Sequence, residues 1–123
     1  MIRYLLFFLV LFTQLNCAGS DSLRLIRSIP IKARLLSSDP VGNLYVVKDN
    51  NTLLRYNSRG DSIGIFNEIK KGHITHIDAT NPLRILLFLG DYNQVIALNN
   101  MLSQRYSLSL RSTGLLNVSC VAN

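Results

Sequence analysis

The chain has 123 residues, with 13 Lys and Arg against 7 Asp and Glu, 48% hydrophobic residues, two Cys and no Trp. That length accommodates one small domain, and the composition excludes a disordered, collagen-like or disulfide-stapled chain. No run reaches the roughly 18 apolar residues of a spanning helix, which excludes a multispan helical membrane protein.

The first sixteen residues contain 12 hydrophobic residues and a single charge, Arg3. Arg3 supplies a short positive region, Leu5 to Phe12 is unbroken apolar sequence, and the small residues Cys17-Ala18-Gly19-Ser20 follow. This is the order of a secretory signal peptide, so residues 1–17 are expected to be a removed export signal and residues 18–29 a tether and first strand. Two cleavage routes are open. Cleavage before Cys17 would leave a lipidated N-terminus; the site resembles a bacterial lipobox in its Cys, and departs from it at Asn16 and Gln14. Cleavage after Gly19 would leave a free one. Either way the protein is expected to be exported, periplasmic or attached to the outer membrane as a lipoprotein. Cys120 is then left alone, and its flanks Val118-Ser-Cys-Val121 read as an apolar strand that buries it.

From Leu23 onward short apolar runs alternate with turn residues. Asp39-Pro-Val-Gly-Asn43 leads into Leu44-Tyr-Val-Val47, Asp49-Asn-Asn51 into Thr52-Leu-Leu-Arg-Tyr56, and Asn57-Ser-Arg-Gly60 into Ser62-Ile-Gly-Ile-Phe66. Asp, Asn and Gly suit such joints because they tolerate left-handed backbone or bond their own main chain. The expected fold class is all-β, a meander of short strands.

The pattern recurs at about 42 residues. Asp39-Pro40 returns as Asn81-Pro82, Leu44–Val47 as Ile85–Phe88, and Leu53–Tyr56 as Val95–Leu98; Arg34–Ser37 aligns with His76–Ala79. About four strands per period points to β-propeller blades. Leu44–Val47 and Ile85–Leu89 are apolar at successive positions, so both faces of those strands must be covered, as in a blade held between neighbours. From Cys17 the chain carries about two and a half repeats where closed propellers need at least about four blades, so residues 30–123 read as a partial β-propeller: two four-stranded antiparallel blades and the start of a third. A truncated N-terminal part, or a unit that self-associates through its open blade edge, is expected.

Asp39-Pro-Val-Gly-Asn-Leu-Tyr-Val-Val47 resembles the blade opening of NHL-type propellers, in which Asp-x-x-Gly-Asn-(Ile/Leu)-Tyr-Val precedes the second strand. The resemblance gives Asp39, Gly42 and Asn43 structural turn roles and no catalytic one. With the signal and the Asn81-Pro-Leu-Arg-Ile-Leu-Leu-Phe88 blade, it extends to exported propeller proteins of Bacteroidota. The second blade departs from the pattern in lacking the Gly-Asn pair.

Candidate chemistry is sparse. His73 and His76 stand three apart, which on a strand sends them to opposite faces. His76 and Asp78 share a face but supply only two ligands, and Glu68 sits in a Glu-Ile-Lys-Lys stretch that reads as solvated. No phosphate loop, Gly-x-Ser-x-Gly elbow or Cys-x-x-Cys pair occurs. Neither a catalytic nor a metal site is expected, and no cofactor. The Arg and Lys residues are scattered, which argues against nucleic acid; they read as solvated rim charges, with contact to anionic lipid headgroups as the remaining alternative. The reading favours a non-catalytic exported module that binds or scaffolds a partner protein at the envelope. Its rival is a ligand-binding or lactonase-type propeller whose site residues lie mostly in other blades.

Overall fold

A computed structural model describes residues 22–25, 27–67, 72–115 and 118–123. The expected signal, the Cys17 site, the first residues of the tether and Glu68 lie outside the described residues. Two four-stranded antiparallel sheets follow one another along the chain. The first contains β1 (Leu35–Ser38), β2 (Leu44–Val47), β3 (Leu53–Tyr56) and β4 (Ser62–Phe66) in that order. The second contains β5 (Ile74–Asn81), β6 (Arg84–Leu89), β7 (Gln94–Leu98) and β8 (Gln104–Ser109), again in order. Short turns at Gly90–Tyr92 and Leu110–Thr113 are 3-10 helical. The fold is all-β, built from two successive propeller-type blades.

The repeat is visible in the registers. Leu44 pairs with Tyr56 and Ile85 with Leu98; Val47 pairs with Leu53 and Phe88 with Val95. The ladder slips between Arg55 and Tyr56 in the first sheet and between Ala97 and Leu98, 42 residues on, in the second. The inner strands align one residue away from the expected match. Leu35 pairs with Val47 and His76 with Phe88, so Leu35, not Arg34, is the counterpart of His76. A bulge between Asp78 and Asn81 takes up the extra residue.

The core lies between the sheets. Tyr45, Val47, Leu53 and Phe66 of the first pack on Ile74, Ile77, Ile85, Leu87, Leu89 and Leu98 of the second. The second sheet is covered on its other face too, where Leu86, Phe88, Val95, Ala97 and Leu110 meet Val118 and Val121. This explains the continuous apolar run of β6: every residue from Ile85 to Leu89 is buried, alternately on one face and the other.

Two strand expectations are corrected. Among the described residues of 18–29 there is no strand, and β1 starts only at Leu35. That stretch breaks its apolar residues with Arg24 and Arg27 and is closed by Pro30, which lacks an amide donor. Residues 118–123 form no strand either. Cys120 is exposed, not buried. Val118 and Val121 are the residues that pack on the second sheet, a spacing of three rather than two, and Cys120 between them turns outward.

Candidate binding surface

One turn template connects most of the strands. In the first blade Asp39, Lys48 and Asn57 each accept a bond from the amide three residues on and donate their own amide to the carbonyl four residues on. The residue before the closing position has positive φ: Gly42 (87°), Asn51 (66°) and Gly60 (79°). The second blade repeats this at Asn93 (47°) and Leu102 (58°), so left-handed positions recur every nine residues within a blade. Gly and Asn are the ordinary occupants; an aliphatic residue there carries a cost of roughly 1–2 kcal/mol. Leu102 is nonetheless buried, and its Cδ1 lies 3.0 Å from where a Cβ on Gly64 would stand. The side chain that strains the turn is thus an anchor between the blades.

Asp39 organises the β1–β2 turn. Its Oδ1 accepts from the amides of Val41 (3.0 Å) and Asn43 (2.9 Å), and its Oδ2 from Asn43 Nδ2 (2.7 Å) and the Tyr45 hydroxyl (3.1 Å). Burial opposes ionisation of Asp39, but these four donors outweigh it and hold the carboxyl below its ordinary value. The same arrangement, through burial first and then the bond to Asp39, pushes the Tyr45 hydroxyl up to about 12. Asn81 occupies the matching place in the second blade and accepts from the Leu83 amide at 3.0 Å. There Asn81 pairs with Arg84, so only Pro82 and Leu83 form the loop. A two-residue loop has no place for the residue that Gly42 represents, which is why the Gly-Asn pair is missing.

In an antiparallel meander the β1–β2 and β3–β4 turns emerge at one end and the β2–β3 turn at the other. Val41, Leu83 and Met101 all sit on turns of the first kind, two residues after a side-chain oxygen that holds their amide: Asp39, Asn81 and Asn99. Each is largely exposed, at 66%, 70% and 72%. The end thus presents three apolar side chains on turns whose backbone is fixed by side-chain bonds. Sequence reasoning placed the turns but missed these tips; the signal was the aliphatic residue two positions after each Asx.

A shallow cavity of about 300 Å³ opens near the same end between the inner strands, lined by Ser37, Ser38, His76, Asp78, Thr80 and Ala122 among others. The Asp78 carboxylate is already engaged. Oδ1 accepts from the Thr80 amide (2.8 Å) and hydroxyl (2.5 Å), and Oδ2 from the Asn123 amide. Burial works against its charge, yet these bonds and the nearby His76 keep its carboxyl below the usual value. His73 is elsewhere, before β5, where its Nδ1 lies 2.9 Å from Asp91 Oδ2. The two histidines are not brought together, and among the described residues no three of His, Cys, Asp and Glu cluster as metal ligands would.

No family model matches the chain, and no curated protein matches it. Solved structures do. "Structure of apo AztD from Citrobacter koseri" aligns with a TM-score of 0.55 at 19% identity, over 74% of this chain and 27% of that one. "Crystal structure of Citrobacter koseri AztD" gives 0.56 at 18%, with the same coverage. The likeness is one of fold: β-propeller blades. The chain spans about a quarter of the length of these structures, and the NHL resemblance of Asp39–Val46 stands on those residues alone.

Proposed function

We propose that the chain is a non-catalytic, exported β-propeller module that binds a partner protein at the cell envelope through its turn end. The observation that carries this reading is the set of exposed apolar side chains Val41, Leu83 and Met101 on turns locked by Asp39, Asn81 and Asn99. Isolated exposed aliphatics are ordinary, but a group of them on pre-ordered backbone loses little entropy on binding. The engagement of both Asp78 oxygens supports a structural role for that carboxylate over general-base work. Export, to the periplasm or as an outer-membrane lipoprotein through Cys17, rests on the N-terminal sequence.

The test replaces Val41, Leu83 and Met101 together by Ser and compares the proteins retained after reversible cross-linking in the producing cell. The reading expects one dominant partner to be lost from the triple variant and kept by a variant changed at Lys48 and Asp49 on the opposite end. Retention of that partner by the triple variant overturns it.

A further inference from the structure

The segment before β1 does more than lead into the first blade. Arg27 lies across Gly60, its Cδ 2.8 Å from where a Cβ would stand, and its Nη1 donates to the Arg59 carbonyl at 2.9 Å and to Asp61 Oδ1 at 3.3 Å. Between this segment and the turns at Gly42 and Gly60 lies a cavity of about 360 Å³. Arg24, Arg27 and Arg59 line it, with Leu25, Leu44 and Tyr56 among its apolar walls. Asp61 is the acid bonded there, held by Arg27 at 3.3 Å and by Arg59 at 3.6 Å, so one carboxylate is shared by two of the three arginines. Asp61 is held ionised, by the Asn57 amide first and then by Arg27. The site therefore keeps two positive charges in excess, on side chains whose planar donors suit phosphate oxygens.

The surroundings point to a particular bearer of phosphate. Leu25 is 81% exposed at the cavity, and Leu23, two residues before it, is fully exposed. Convex apolar side chains beside a cationic cavity match a bilayer surface, where headgroups meet the arginines and the aliphatics reach the acyl boundary. Cys17, the candidate lipidation residue, precedes Arg24 by only seven positions. Seven extended residues span at most about 25 Å.

We infer that the Arg24–Arg27–Arg59 cavity seats the phosphate of an anionic phospholipid, docking this corner of the first blade on a membrane. The inference does not depend on the partner-binding reading; the partner would be met at the membrane surface. The experiment measures partition of the cell-matured protein between vesicles of phosphatidylcholine and vesicles that also contain phosphatidylglycerol. An acyl anchor contributes to both, so their ratio reports the headgroup. The ratio is expected to exceed one for the wild type and to fall roughly tenfold in R24Q/R59Q. K48Q/R111Q, which removes equal charge at the other end, is expected to keep it. Equal losses in the two variants would reduce the effect to diffuse net charge and overturn the site. So would the lack of any phosphatidylglycerol preference, whether or not soluble glycerol phosphate or an acidic protein binds the same arginines.

Discussion

The Asn51 side chain of the first blade is bonded to the backbone that starts the second, accepting the Ile74 amide at Oδ1 (3.0 Å) and donating from Nδ2 to the Gly72 carbonyl (2.6 Å). The same Oδ1 accepts from Arg34 Nη2 at 3.0 Å, so one carboxamide ties together the approach to β1, the β2–β3 turn and the entry to β5. Asn suits the place twice over, because its φ is 66° and few other residues combine left-handed backbone with a donor and an acceptor.

Asn51→Ala should therefore destabilise the protein by about 2–3 kcal/mol, from unmade hydrogen bonds and the unfavourable φ. Asn51→Gly should recover roughly 1 kcal/mol of that, since it removes only the backbone penalty. Urea unfolding measures both. Amide exchange at Ile74 should accelerate in both variants while exchange within β6 follows global stability.

Leu102 reverses the usual order of Ala and Gly. Truncation to Ala loses a buried side chain and keeps the left-handed strain, for a cost of about 2–4 kcal/mol. Gly loses the same contacts but relieves the strain, so L102G should be no less stable than L102A. On the facing side, Gly64→Val places methyl groups where Leu102 already packs and should cost about 1–3 kcal/mol. Thermal denaturation of the three variants checks this, and an L102G melting below L102A would show that the turn is unstrained.

Acid and alkaline stability should both respond at the Asp39–Tyr45 pair, joined by a hydrogen bond of 3.1 Å. The Asp39 carboxyl is depressed in the folded state, so its contribution is present above the unfolded value of about 3.9 and disappears as pH falls below it. Asp78 acts in the same direction. The Tyr45 hydroxyl is raised to about 12, so its contribution is intact below pH about 10 and is lost as pH rises from there toward 12. Tyr45→Phe should flatten the alkaline limb. Asp39→Asn should weaken the acid limb and lower neutral stability by about 1–2 kcal/mol, because its amide would face the Asn43 and Tyr45 donors. Denaturant midpoints from pH 3 to 11 report both limbs.

Much of this fold was legible from residue type alone. Asp39, Asn57, Gly42 and Gly60 announce their turns through chemistry that few other residues share, and the apolar runs of β2 and β6 require cover on both faces. What was not legible depended on register. The one-residue slip that pairs His76 with Leu35's position, instead of Arg34's, follows from a bulge in β5 that no residue between Asp78 and Asn81 signals. Cys120 is exposed because residues 118–123, which read as an apolar strand, form none, and it is Val118 and Val121, three residues apart, that reach the second sheet. Leu102 was invisible as a turn residue because its conformation is imposed by packing on Gly64 against its own preference. The exposed tips at Val41, Leu83 and Met101 escaped because an exposed apolar side chain is common, and only the shared Asx bonding sets these three apart.

The turn end should be energetically silent in folding. Substituting Val41, Leu83 or Met101 by Ser should change stability by less than about 0.5 kcal/mol each, since all three are largely solvent-exposed. A larger loss would mean that the tips serve the fold rather than a partner.

The most direct measurement is site-specific photocross-linking in the living cell, with a benzophenone side chain introduced at Leu83 and, separately, at Asp91 on the opposite end. The account predicts a single adduct of defined mass from Leu83, abolished by serine at Val41 and Met101, and none of that mass from Asp91. No adduct at Leu83, or equal labelling from both ends, would contradict it.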